Sequence, residues 1–321
     1  MATAPVHPPP AGPGTAEEAE GPALSWRART REARFAAALL IPSAVVVFGV
    51  VLYPILRTLY TSFYDVNSPF PGSYPFVGLG NYRRVIEDSE VWASVLRTGY
   101  FTLVSTGLEM LFGLGIALLL YAPLRLRWLF RAIVVLPWAL PTVVNAALWR
   151  QIFNAQYGAL NALLTQLHLA DSYRSWLGEP FLALNMVIVA DVWKNTSLVA
   201  FFLFAGLATI PRELYEAARV DGASAWRSFV SITLPLLKPA IVVVLVLRTI
   251  EAFKVFDIIY VMTRGGPANG TASIAYYTYA RAFSDESFGY GSALAWLIVL
   301  FIFVLATFYI RALRAGQFEA A

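Results

Sequence analysis

Long apolar runs, rather than an alternation of apolar and polar positions, dominate this 321-residue chain. The stretches 101–121 and 293–310 each meet the ~18–20 residues that a bilayer core requires. Runs of this kind lie at roughly 35–61, 96–121, 132–153, 181–207, 239–263 and 289–311. They predict an all-α polytopic membrane protein with six transmembrane helices. Pro42, Pro54, Gly113, Pro137 and Pro141 fall within the spans, where membrane helices tolerate them better than soluble helices do. A proline still frees a backbone carbonyl, so bends are expected near Pro54 and between Pro137 and Pro141. Residues 1–24 are rich in Pro, Ala and Gly and carry acidic Glu17, Glu18 and Glu20, the pattern of a disordered tail. The expected organisation is therefore a tail over 1–34, a membrane domain over 35–315 and a short tail over 316–321.

Composition agrees with that picture. The chain is 58% hydrophobic and only 14% charged, with a mean hydropathy of +0.62. A soluble domain carries about a quarter charged residues. The absence of cysteine excludes disulfides and thiolate chemistry. His7 and His168 both lie outside the apolar runs, which argues against a histidine metal or proton-relay site at membrane depth. The net charge of +4 is read as topology rather than as nucleic-acid binding. With the N-terminus inside, the inner segments hold Arg27, Arg29, Arg31, Arg34, Arg125, Arg127, Arg131, Arg212, Arg219, Arg227, Lys238, Arg311 and Arg314, which is 13. The outer loops hold Arg83, Arg84, Arg174, Arg264 and Arg281, which is 5. This bias places both termini in the cytoplasm.

The loop at about 208–238 carries the most information. Its residues 212–220 are good helix formers, Pro211 suits the position before them, and Gly222 suits a left-handed stop. Ala217 and Ala218 give this short helix a flat face against which another protein can pack. A second short helix is expected at about 224–230. Glu216, Ala217 and Ala218 are followed by three residues, Gly222, nine residues, and then Ile232, Leu234 and Pro235. This spacing resembles the EAA signature of the membrane subunits of binding-protein-dependent ATP-binding-cassette importers. Residues 216–226 and 234–239, the Val-Gly-Leu-Gly-Asn-Tyr of 77–82, and residues 256–267 resemble the carbohydrate branch, of maltose and trehalose type. Within that branch they look like the first of two permease subunits.

The resemblance implies that Glu216, Ala217, Ala218, Asp221 and Gly222 form a coupling element that docks on an ATPase subunit. It also implies a second homologous permease, two ATPase subunits, an extracytoplasmic sugar-binding protein, and a bacterial cytoplasmic membrane as the location. The chain itself is not expected to be an enzyme or to hold a cofactor. Its lysines follow Trp193, Leu237 and Phe253, so no Gly-Lys-Ser/Thr phosphate loop exists, and ATP and magnesium would be held by the ATPase partners.

Charges at membrane depth are costly and usually face a cavity or a counter-ion. The fourth span carries Asp191, Trp193, Lys194 and Asn195, and the fifth is expected to carry Arg248, Glu251, Lys254 and Asp257 at steps of three. Two readings stay open: a ladder of mutually neutralising charges, or a sugar site with an aromatic face and polar partners for hydroxyls. In the resembled family, sugar contacts come from positions matching Asp191, Trp193, Lys194, Asn195 and the 251–255 stretch, which includes Glu251, Phe253 and Lys254. Asn145, a lone amide in the third span, is a further candidate, with a helix-to-helix hydrogen bond as its alternative. The balance of Arg248 and Lys254 against Glu251 and Asp257 suits a neutral sugar better than glycerol phosphate. A secondary carrier coupled to ions is the remaining alternative.

Overall fold

The structure, a computed structural model, describes residues 26–67, 72, 74–123 and 125–318. The tail expected over 1–24 lies outside these residues. Among the described residues the chain is helical, with five helices long and apolar enough to cross a membrane and a sixth span if one bent pair counts as a single crossing. The chain divides into a unit ending at Arg57 and a unit running from Thr58.

Two helices begin the chain, α1 (Trp26–Val45) and α2 (Tyr53–Ser62), joined by a π-helical turn at Val46–Leu52. Among the described residues, helical geometry is present from Trp26 onward, ahead of the apolar run at Phe35. The π turn sits just before Pro54, whose missing N–H cannot close an α-type bond, so a wider turn absorbs the mismatch. Within Ala37–Ser62 an 18-residue apolar window contains no buried residue, whereas Ser62 at its end is buried.

The second unit is built on a pair of long helices, α4 (Ser89–Tyr121) and α8 (Pro180–Ala208). Amphipathic α3 (Gly80–Glu87) precedes α4 and ends at Asp88, whose carboxylate caps α4 by accepting from the Glu90 N–H at 2.9 Å. Val199, Leu203 and Leu207 of α8 pack with Ala117 of α4 and with Leu237 and Val244 of a third helix. That close approach needs Gly113, because a Cβ there would lie 2.5 Å from Cγ1 of Val199. With no hydrophobic force between helices in lipid, such small residues set how near two backbones come.

The third span is not one helix. It consists of α5 (Arg127–Ala139) and α6 (Thr142–Ile152), which meet at 93°. Pro141 drives the preceding Leu140 into an extended conformation (φ −74°, ψ 134°), which ends α5. After α7 (Ala159–Gln166) and α8 come the loop helices α9 (Arg212–Val220) and α10 (Ala225–Ser228). A second π turn at Phe229–Thr233 then leads, again just ahead of a proline, into α11 (Leu234–Phe253).

The fifth span corrects the sequence reading, which carried it to 263. The helix stops at Phe253, Lys254 caps it, and Asp257 begins a separate short helix, α12 (Asp257–Met262). No glycine or proline marks this break. The Val255 carbonyl instead leaves the helix and accepts from the Ser273 hydroxyl at 2.6 Å. The chain closes with α13 (Ile274–Tyr279), a π turn at Ala280–Ser284 and α14 (Phe288–Phe318).

Candidate functional site

A cavity of about 270 Å³ opens between α8 and α11. Its walls include Asp191, Lys194 and Asn195 from α8, Arg248 and Glu251 from α11, and the break residues Lys254 to Phe256. Asp257 and Ile258 of α12 and Thr142 of α6 complete it. The helix break makes the cavity possible, because a straight α11 would carry Lys254 and Asp257 onward instead of turning them around one pocket. Three carboxylates and three bases converge here.

Behind this wall lies an ion triad that the sequence reading did not anticipate. Arg248, with its side chain 6% exposed, donates from Nε and Nη2 to the two carboxylate oxygens of Glu109 at 2.7 and 2.9 Å. Asp191 approaches the same guanidinium at 3.5 Å and accepts from the Asn195 amide at 2.9 Å. Bidentate pairing satisfies both partners in a fixed plane and ties α4, α8 and α11 together. The signal for it was present, since Glu109 stands alone in the apolar run 101–121 and a carboxylate at that depth needs a counter-ion.

The structure gathers some of the expected residues and separates others. Asp191, Lys194, Asn195, Glu251 and Lys254 share the polar cavity. Glu251 and Lys254 pair at 3.1 Å with both side chains about half exposed. Trp193 does not join them. It points to a different, apolar cavity with Pro137 and Val189, edge-on to Trp149 at 5.8 Å between ring centres. Two residues of helix rotate a side chain by about 200°, so Trp193 and Asn195 face nearly opposite directions. Phe253 is buried against Phe301, with ring centres 4.5 Å apart, in a cluster with Val85, Val91 and Leu294. Asn145 is fully buried outside the polar cavity and donates to the Ala190 carbonyl at 3.2 Å, the helix-to-helix bond considered as its alternative. Its carbonyl oxygen has no partner among the described residues.

At the far end of α8 the loop helices keep the expected form, with α9 spanning 212–220. Asp221 caps α9, and Gly222 follows with φ +75°. The Ala223 N–H bonds the Ala218 carbonyl at 2.8 Å, and the Gly222 N–H bonds that of Arg219 at 3.1 Å. This pair of bonds is a Schellman stop, which needs a left-handed residue at position 222. Ser224 then caps α10 by accepting from the Arg227 N–H. The Tyr215 and Thr233 hydroxyls meet at 2.9 Å and pin α9 to the foot of the membrane segment that continues as α11. Glu216, Ala217, Asp221 and Gly222 stay exposed, as do Val220 at 87% and Trp226 at 73%. The helix is thus pinned on one side through Tyr215 and bare on the other.

Residues 109–315 match the family described as binding-protein-dependent transport system inner membrane component. The chain belongs to this family. It is the permease subunit of an ATP-binding-cassette importer, a multi-pass membrane protein whose role is transport and not catalysis. The permease is 42% identical to the trehalose/maltose transport system permease protein MalF of Thermococcus litoralis, over 92% of this chain and 98% of that protein. It is 38% identical to the sulfoquinovosyl glycerol transport system permease protein SmoG of Agrobacterium fabrum, over 86% of this chain and 89% of that one. In fold it resembles a subunit of a bacterial ABC transporter that imports the acidic polysaccharide alginate. The TM-score there is 0.77 at 22% identity, covering 90% of this chain and 98% of the other.

Proposed function

We propose that this permease forms half of the translocation path for a saccharide, with a second, homologous permease completing it. The polar cavity between α8 and α11 carries the reading. Hydrogen-bonding groups of both charge signs converge there, on side chains from α8, α11 and α12. Asp191, Lys194, Asn195, Glu251 and Lys254 offer donors and acceptors to hydroxyls, and Phe256 supplies an aromatic wall. Thirteen inner against five outer basic residues support both termini in the cytoplasm. In that orientation α9 and its Gly222 turn face two ATPase subunits, which hold ATP and magnesium, and the opposite face receives an extracytoplasmic sugar-binding protein. Trehalose and maltose are the cargo favoured by the relative from Thermococcus litoralis. The sulfonated cargo named for the Agrobacterium relative keeps an anionic glycoside as the alternative.

The test is uptake of labelled maltose and trehalose by the full complex in liposomes. Replacing one polar cavity group strands a partner, at about 1–3 kcal/mol. Asn195→Ala is therefore expected to lower uptake roughly ten- to a hundredfold while the complex still assembles. Full uptake by that variant removes the cavity from the path. Impermeant labelling of single cysteines at Ser172 and Asn269, but not at Ser224, checks the orientation.

A further inference from the structure

Six charged groups line the polar cavity, and they cancel: Asp191, Glu251 and Asp257 against Lys194, Arg248 and Lys254. Glu109 disturbs that balance from behind. It is fully buried, contributes no surface to the cavity, and grips Arg248 through both carboxylate oxygens. Arg248 is thus neutralised twice, by Glu109 from α4 and by Asp191 from α8. By formal charge, four carboxylates face three bases, with Glu109 and Asp191 both paired to Arg248.

We propose that Glu109 is a specificity-determining residue: by cancelling the Arg248 charge from outside the cavity, it sets the site for neutral saccharides and against anionic ones. The proposal rests on the saccharide reading above. It follows from two facts together, the planar pairing that fixes the guanidinium and the position of that guanidinium in the cavity wall. A neutral sugar responds to where the Arg248 donors point. A carboxylate-bearing sugar responds to the net charge as well. A unit charge acting across such a site, at an effective dielectric of about 20, changes an equilibrium by roughly ten- to fiftyfold.

The measurement is saturation-transfer NMR on this permease with its partner permease in nanodiscs, without the binding protein, which would impose its own selectivity. The probes are maltose and a disaccharide of the same size in which glucuronate replaces the non-reducing glucose. Wild type is expected to prefer maltose. Glu109→Gln should raise the affinity for the glucuronide relative to maltose by at least about tenfold, and Glu109→Asp should leave the preference unchanged. Glu109→Gln combined with Arg248→Gln restores the original net charge and should return the preference to that of wild type. A purely structural role predicts instead that Glu109→Gln weakens both sugars equally, and that result overturns the proposal. If Glu109→Gln does not assemble, Arg248→Gln alone reads the same field with the opposite sign, and an unchanged preference there overturns it too. Wild type that contacts neither sugar overturns the saccharide reading itself, whereas maltose contact with no charge-dependent shift overturns only the role of Glu109.

Discussion

Replacing Gly222 isolates the backbone from every other contribution at the turn that ends α9. A Cβ at this position would meet nothing within 4 Å, so no steric clash enters. The backbone stands at φ +75°, however, where a side chain is strained. Holding an ordinary residue there costs about 1–2 kcal/mol, with β-branched residues at the upper end. Gly222→Ala should therefore cost ~1 kcal/mol and Gly222→Val ~2 kcal/mol of turn stability, while Asn, which tolerates left-handed geometry, should cost a few tenths. The upper figure is a factor of about thirty in the population of the Schellman stop. If that stop opens, the Ala223–Ala218 and Gly222–Arg219 bonds go with it. Cargo-stimulated ATP hydrolysis by the reconstituted complex should then rank Gly and Asn together, Ala below them and Val lowest, with membrane insertion unchanged. Wild-type stimulation in the Val variant refutes the argument. Equal loss in Asn, Ala and Val would show that a docked partner needs the bare surface of glycine rather than its φ.

Glu251 and Lys254 pair across half-exposed surface, where such a pair is worth about 0–1 kcal/mol. Uptake by Glu251→Ala, Lys254→Ala and the double variant should therefore show the double at least as impaired as the worse single; recovery in the double would mean the two only neutralise each other. Trp193→Ala should lower thermal stability only modestly, by about 0.5–1.5 kcal/mol, because the ring is 40% exposed and meets Trp149 edge-on, while leaving the uptake KM near wild type, since it lines a different cavity; a KM raised tenfold would place it on the sugar. Burial alone would push the Asp88 carboxyl up. Hydrogen bonds from Tyr290, Tyr277 and the Glu90 N–H, with Arg281 nearby, outweigh burial and hold it below the ordinary carboxylate value. Its contribution is thus fully present above about pH 4 and is lost as the pH falls through the lower folded value, so wild type should lose more melting temperature than Asp88→Asn on acidification below pH 4.

The sequence by itself determined the class of the protein. Membrane crossing follows from run length, because a bilayer core demands about twenty apolar residues whatever their neighbours. The turn after α9 was legible for a similarly local reason, since a left-handed stop selects glycine, and position 222 carries one. The bend between Pro137 and Pro141 was legible too, because a proline constrains its own turn. What the tertiary structure decided was which charges meet. Glu109 and Arg248 are 139 positions apart in the chain and join only because α4 and α11 pack against each other. The end of α11 depends on a hydroxyl from Ser273, which no local propensity announces. Once the helix ends there, steps of three along one face no longer apply, and Lys254 and Asp257 turn around a cavity instead of continuing a ladder. Trp193 fell on the opposite face because neighbours in sequence diverge on a helix, whereas a binding wall is assembled from several helices at once. Local rules reach as far as one helical turn; a site spread over four helices is fixed by how they pack.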